Sequence, residues 1–141
     1  STNGTLYFYP PSPLLDDDDI LVSVAPVALD ISHTSHVTVA GIVVSNSQGV
    51  GVKAAGVSDV LLANLTVRNH GTSGIEVDGT SYEVSDCLVE ELGCAGVKAF
   101  GGDADNLTPA YNLVTRNIVR RPALWKRTYM AGLLWHVEPS S

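Results

Sequence analysis

The chain has 141 residues, is 45% hydrophobic and only 16% charged, and carries a formal net charge of −7. That length makes one domain, and the acidic balance argues against nucleic acid as a partner. No apolar run is long enough to cross a membrane, and the two cysteines, Cys87 and Cys94, lack the CxxC spacing of a metal framework.

Residues 1–26 form the first unit, an N-terminal edge strand and an acidic loop. The segment GTLYFYPP at 4–11 reads as an edge strand closed by prolines. Four consecutive aspartates follow at 16–19. A short acidic run is ordinarily a solvated loop, and calcium is the alternative because hard oxygen ligands cluster there.

Residues 27–141 form the second unit, and here the chain repeats itself. Four segments can be laid over one another: 37–46 (VTVAGIVVSN), 60–69 (VLLANLTVRN), 82–91 (YEVSDCLVEE) and 113–121 (LVTRNIVRR). Each has a turn residue, Gly41, Asn64, Asp86 or Asn117, followed by Ile42, Leu65, Cys87 or Ile118 pointing inward. A second strand follows a glycine-containing turn and starts at Val27, Val50, Ile75, Val97 and Leu133 in successive copies. Apolar residues alternate with variable ones in each, the period of a strand with one buried face. No window has a sustained helical period. The fourth copy carries two insertions, 101–110 and about 122–129.

A repeat of about 22 residues holding two or three short strands is one turn of a solenoid. Leucine-rich repeats share that length but need a fixed leucine spacing that this chain lacks. The expected fold is therefore all-β: a right-handed parallel β-helix of about four to five coils, with both loop insertions in the last full coil. Coils stack at strand spacing, so equivalent residues form ladders. Asn64, Asp86 and Asn117 read as a ladder at one turn, and each also tolerates a left-handed turn conformation. Cys87 reads as a small core residue, and a Cys87–Cys94 disulfide is sterically open.

The pattern Asn-Leu-Thr-Val-x-Asn-x-Gly-x-x-Gly-Ile-x-Val-x-Gly, residues 64–79, resembles the coils of the pectin-lyase-like superfamily. The segments 4–11, 101–110 and 125–129 are similar to parts of large secreted β-helix proteins, among them glycoside hydrolases of plant-type polysaccharides. The resemblance implies a secreted, carbohydrate-active domain, most simply part of a polysaccharide glycoside hydrolase. A polysaccharide lyase and a non-catalytic carbohydrate-binding or adhesin-type module are the alternatives. Related sequences run on through more coils, so the stack is expected to be cut short at its C-terminus and to pair with the remaining coils of a longer parent.

In that superfamily the substrate groove follows an outer face. On the glycine-preceded strands the expected outward columns are Ala28–Gly51–Glu76–Lys98–Leu134 and Asp30–Lys53–Asp78–Phe100–His136. Glu76 and Asp78 are the candidate acid/base or nucleophile pair, two residues apart and so about 6.5–7 Å from each other along a strand. Lys53 and Lys98 would neutralise a uronate or abstract a proton. The same charges also read as a stabilising ladder of alternating sign. Asp103, in the first insertion, is the leading single catalytic candidate, and its alternative is a turn carboxylate capping backbone N–H groups. Trp125 and Tyr129, beside Lys126 and Arg127, are candidates for stacking on and hydrogen-bonding sugars. Trp135 alternates inward with Leu133. His33, His36 and His70 read as loop histidines. No metal site and no cofactor are expected outside the aspartate run.

Overall fold

The structure is a computed structural model that describes residues 20–138 and, before them, Tyr7, Tyr9, Pro10 and Pro13. The aspartate run at 16–19 lies outside the described residues, as does most of the expected edge strand at 4–11. Tyr7, Tyr9 and Pro10 belong to no strand.

Twelve strands make up the solenoid. They are β1 (Val27–Asp30), β2 (Ser35–Ala40), β3 (Val43–Ser45), β4 (Val50–Ala63), β5 (Thr66–His70) and β6 (Ile75–Thr80). Then come β7 (Glu83–Ser85), β8 (Leu88–Leu92), β9 (Val97–Asp103), β10 (Leu113–Thr115), β11 (Ile118–Arg120) and β12 (Leu133–Glu138). All pairings between strands are parallel, and no helix occurs among the described residues.

Three faces result. The first stacks β1, the start of β4, β6, β9 and β12; the second stacks β2, the end of β4, β7 and β10; the third stacks β3, β5, β8 and β11. β4 belongs to two faces because it turns the corner without breaking, through a register shift between Ala54 and Val57 and a left-handed Gly56. Three regular turns are followed by a fourth that two loops interrupt, and β12 extends the first face alone. The fold class is thus the one expected, with fewer regular coils.

Alternation produces the core. Val52 and Ala54, Ile75 and Val77, and Val97 and Ala99 all point inward and are buried. Leu62, Leu65, Val67, Val84, Cys87 and Val89 close the same core from the other two faces. Cys87 is the inward residue expected of it, and both cysteines are free thiols. Burial pushes the Cys87 thiol up from its ordinary value.

The ladder register corrects two expectations. First, Ile75 pairs with Val52 and not with Val50. Gly51 N donates to the Ser73 carbonyl at 3.0 Å and Val52 N to the Gly74 carbonyl at 2.8 Å, which sets glycine beside glycine. Gly51, Gly74, Gly96 and Gly132 form one column, in which a Cβ on any of the first three would collide with the carbonyl of the next. The outward columns are therefore Asp30–Lys53–Glu76–Lys98–Leu134 and Asp78–Phe100–His136. Second, the left-handed column at the turn between the second and third faces is Gly41, Asn64, Asp86 and Arg116, not Asn117. Asn117 sits one place further on. Its Oδ1 accepts from Cys87 N at 2.9 Å and its Nδ2 donates to the Val84 carbonyl at 2.8 Å. The stacked amide pair lies at another turn, where Asn69 Nδ2 donates to Asn46 Oδ1 at 2.5 Å.

Candidate functional site

The outer surface of the first face carries most of the candidate residues. Its main column, Asp30–Lys53–Glu76–Lys98, alternates in sign on adjacent strands. Lys98 Nζ donates to Glu76 Oε1 at 2.6 Å, with both side chains about one quarter exposed. Asp30 accepts from Ser32 Oγ and N, and these bonds hold its carboxyl below the ordinary range. Glu76 and Lys98 are thus a neutralised pair, and the Lys53 ammonium stands between two carboxylate-bearing strands.

Asp78 differs. Its carboxylate makes no hydrogen bond or ion pair among the described residues, and two adjoining cavities share the residue. One, of about 160 Å³, is lined by Lys53, Ala55, Glu76, Val77, Asp78 and Phe100. The other, of about 270 Å³, lies between Asp78–Gly79–Thr80 on β6 and the end of β9, with Asp103, Thr108 and Pro109 around it. Together they make a shallow groove that runs along β6 from Glu76 to Thr80. Its floor at Gly79 and Gly101 is bare backbone. Both glycines have φ near +145° and stack directly, so a side chain on either would strike the carbonyl of the coil below. Beneath the groove, Tyr82 gives its hydroxyl proton to the Phe100 carbonyl at 2.8 Å. Burial, with the Asp78 charge adding to it, pushes the Tyr82 phenol up to about 12.

Asp103 borders the second cavity, but its carboxylate is engaged. Oδ1 accepts from the backbone N of Asp105 at 2.9 Å and of Asn106 at 3.1 Å, and Oδ2 accepts from Asn106 Nδ2 at 2.6 Å. These bonds, the Asn106 side chain first, hold the Asp103 carboxyl below its ordinary range. The backbone of Asp103 also exchanges two 3.1 Å hydrogen bonds with Thr108, closing the inserted loop as a small antiparallel tie. A carboxylate so placed stays ionised near neutral pH and cannot serve there as a proton donor.

Trp125, Lys126, Arg127 and Tyr129 are not brought to this groove. They belong to the second inserted loop, which lies at the opposite end of the β9 strand, over the turn between the third face and the first. Backbone bonds anchor the loop there: Leu124 N to the Leu92 carbonyl at 2.9 Å, and Trp125 N and Lys126 N both to the Gly93 carbonyl at 3.0 Å. Trp125 is 79% exposed and Tyr129 95% exposed.

Several features were not singled out from the sequence. Thr80, Thr108 and Pro109 line the groove beside Phe100, which the sequence already placed on the outward face. The signal that finds them is the glycine pair Gly79 and Gly101, which falls four residues after Ile75 and Val97 alike. His70 is no surface loop residue: it is 2% exposed, at the inner end of β5. Its Nδ1 accepts from Ser47 N at 3.3 Å and lies 2.7 Å from Ser47 Oγ, while Nε2 faces the Val44 carbonyl at 3.1 Å. Burial lowers its pKa, so the ring is neutral with its proton on Nε2. His36, by contrast, is exposed and donates from Nδ1 to Asp59 Oδ2 at 2.5 Å. No group of three or more His, Cys, Asp or Glu able to hold a metal occurs among the described residues, and these contain no helix long and apolar enough to cross a membrane.

Three parallel faces wound around a Val-rich core, with a groove on one outer face, define a parallel β-solenoid. The model of the family described as the right-handed β-helix region matches residues 22–126, and the chain belongs to that family. Neither the curated proteins nor the solved structures gave a match.

Proposed function

We propose that this is a carbohydrate-active β-helix domain that takes an extended glycan into the groove of the first face, with Asp78 as the reacting carboxylate of a polysaccharide glycoside hydrolase. The observation that carries the reading is the pair of adjoining cavities that meet at Asp78, the one groove carboxylate free of a hydrogen-bonded partner. Glu76 lies two residues away on the same strand, about 6.5–7 Å off, in the range over which paired carboxylates cleave glycosides. The Lys98 ammonium is bonded to Glu76 at 2.6 Å, so Glu76 suits the role of charge stabiliser and Asp78 that of its partner. Phe100 supplies an apolar edge, and the glycine floor lets a flat ring lie close to backbone N–H and C=O groups. An extracellular location is part of the same proposal.

The test is a panel of plant and algal polysaccharides, read for reducing sugar and for the ultraviolet absorbance of an unsaturated lyase product. Asp78→Asn should lower sugar release by about 100-fold or more, and Glu76→Gln should also lower it. Asp103→Ala should act chiefly through loop order. Release that is indifferent to Asp78 and Glu76 would remove the catalytic assignment.

A non-catalytic glycan-binding module is the second reading. It is favoured by the engagement of Glu76 with Lys98 and of Asp103 with its own loop, which leaves one unengaged carboxylate in the groove. It predicts glycan binding without any product.

A further inference from the structure

We infer that Trp125 forms an aromatic subsite for a second sugar ring of the glycan held at Asp78, so that the glycan lies along the strands of the first face and not along the stack. The inference rests on the glycan reading above and adds to it a direction and a second contact point.

The groove itself sets the direction. Its first cavity takes in Glu76 and Asp78, and its second takes in Asp78, Gly79 and Thr80. Lys53 and Ala55 on β4 and Phe100 on β9 flank the first cavity, and the step from the first cavity to the second advances along β6 from Glu76 to Thr80 and along β9 from Phe100 to Asp103, so the groove's long axis follows the strands. At the Thr80 end, the first inserted loop closes it with Asp103, Thr108 and Pro109. Followed the other way, past Glu76 and Lys98, the same line reaches the turns that precede Ile75 and Val97. The second inserted loop is tied down at that turn. The two insertions of the interrupted coil therefore stand at opposite ends of β9, whose seven residues span about 20 Å.

Trp125 is built as a platform. Its backbone N is bonded to the Gly93 carbonyl, and its neighbours Leu124 and Lys126 are bonded to the same turn. Gly93 and Gly71 stack without side chains beneath it, and a Cβ on Gly93 would strike the indole. The edge of the indole thus lies over bare backbone, and 79% of the residue faces solvent. A tryptophan serving only to cover the turn would bury its ring. An aromatic side chain has only two χ angles to immobilise when a flat ring stacks on it, so the entropy cost is low. Lys126 and Arg127 follow it directly and offer charged donors to the hydroxyl or acidic substituents of the same sugar.

The test uses the whole chain with disaccharides and hexasaccharides of cellulose, xylan and polygalacturonate, by calorimetry and by indole emission. A hexasaccharide long enough to span the face should bind Trp125→Ala about tenfold more weakly than the wild type. It should also change indole emission in the wild type and not in the variant. Trp125→Phe should keep most of the affinity. A disaccharide, which fills only the groove, should bind all three proteins alike. Unchanged circular dichroism and thermal melting check that Trp125→Ala remains folded. Equal hexasaccharide affinity in wild type and Trp125→Ala overturns the subsite while leaving the groove reading intact. If no oligosaccharide binds the wild type, the glycan reading fails and the subsite goes with it.

Discussion

His70 occupies an inward position because its ladder neighbours do. It pairs with Leu92 in the next coil and bonds to Ser47 in the coil before. Read along the chain, Asn-His-Gly resembles a polar loop. Read down the stack, the residue belongs to a buried column. Its ring packs against Gly51, where a methyl group would overlap Cδ2 and Nε2. No carboxylate among the described residues compensates it, and Nδ1 accepts from Ser47 N, so a proton added there would face a donor. The folded-state pKa accordingly lies below the ordinary 6.5. Between that depressed value and about 6.5 the unfolded chain binds a proton that the folded chain does not, so stability falls as pH falls through this window. The slope reaches at most about 1.4 kcal/mol per pH unit for one such proton. Thermal melting from pH 7 to pH 5 should show the loss, and His70→Gln should flatten it. Asp30, Asp86 and Asp103, whose carboxyls lie below their ordinary 3.8, weaken the fold only at lower pH, which separates their contribution from that of His70.

At the scale of the element, the strands were legible and their register only partly so. Alternation of Val, Ile and Ala with polar residues marks each strand of the first face. Matching Val50-Gly-Val to Ile75-Glu-Val, however, displaces one coil by two residues. The displacement keeps every side chain on its proper face, so alternation alone cannot detect it. The glycine that precedes each strand does detect it, because only glycine fits between neighbouring carbonyls there. With Gly51 beside Gly74 the step is 23 residues, as it is in the coil before. The same lesson applies to Asn117, matched to Asn64 by residue type although Arg116 holds the left-handed position. Charge accompanies the ladder there: Arg116 makes two 2.8 Å bonds to Asp86, Arg121 pairs with Glu91, and Lys98 with Glu76, each a basic residue answering an acidic one in the coil before. Two glycines test the steric account. Gly74→Ala forces a methyl group against Val89 and the Gly96 carbonyl and should cost about 2 kcal/mol or more. Gly41 has φ +69° but open space around its Cβ position, so Gly41→Ala should cost only about 1 kcal/mol, from backbone strain. Urea unfolding of the two variants measures the difference.

Across the whole molecule, burial is concentrated in the middle of the stack. The fully enclosed apolar residues run from Val44 to Ala99. On one side of them, Leu29, Val37 and Val39 are only partly covered. On the other, the inward Val114 and Val119 are only partly covered, and Leu133 and Trp135, which follow Val97 and Ala99 in the ladder, are each about half exposed, around an opening lined by Val97, Val114, Val119 and Leu133. In a solenoid each coil contacts only its neighbours, so an outer coil has one interface where an inner coil has two. Local opening should therefore begin at both ends and reach the centre last. Hydrogen exchange followed by mass spectrometry should find the slowest amides in β4, β5, β6 and β8, faster ones in β1 to β3, and the fastest in β10, β11 and β12. β9 is the informative element. It lies at the border of the protected region, yet its outer face carries Lys98 and Phe100 and its ends adjoin both inserted loops. If a glycan bridges those loops along the strand, as inferred from Trp125 and the Asp78 groove, the hexasaccharide should slow exchange in β9 and in both loops together. Protection of the Asp103 loop alone would mean that the ligand stays in the groove.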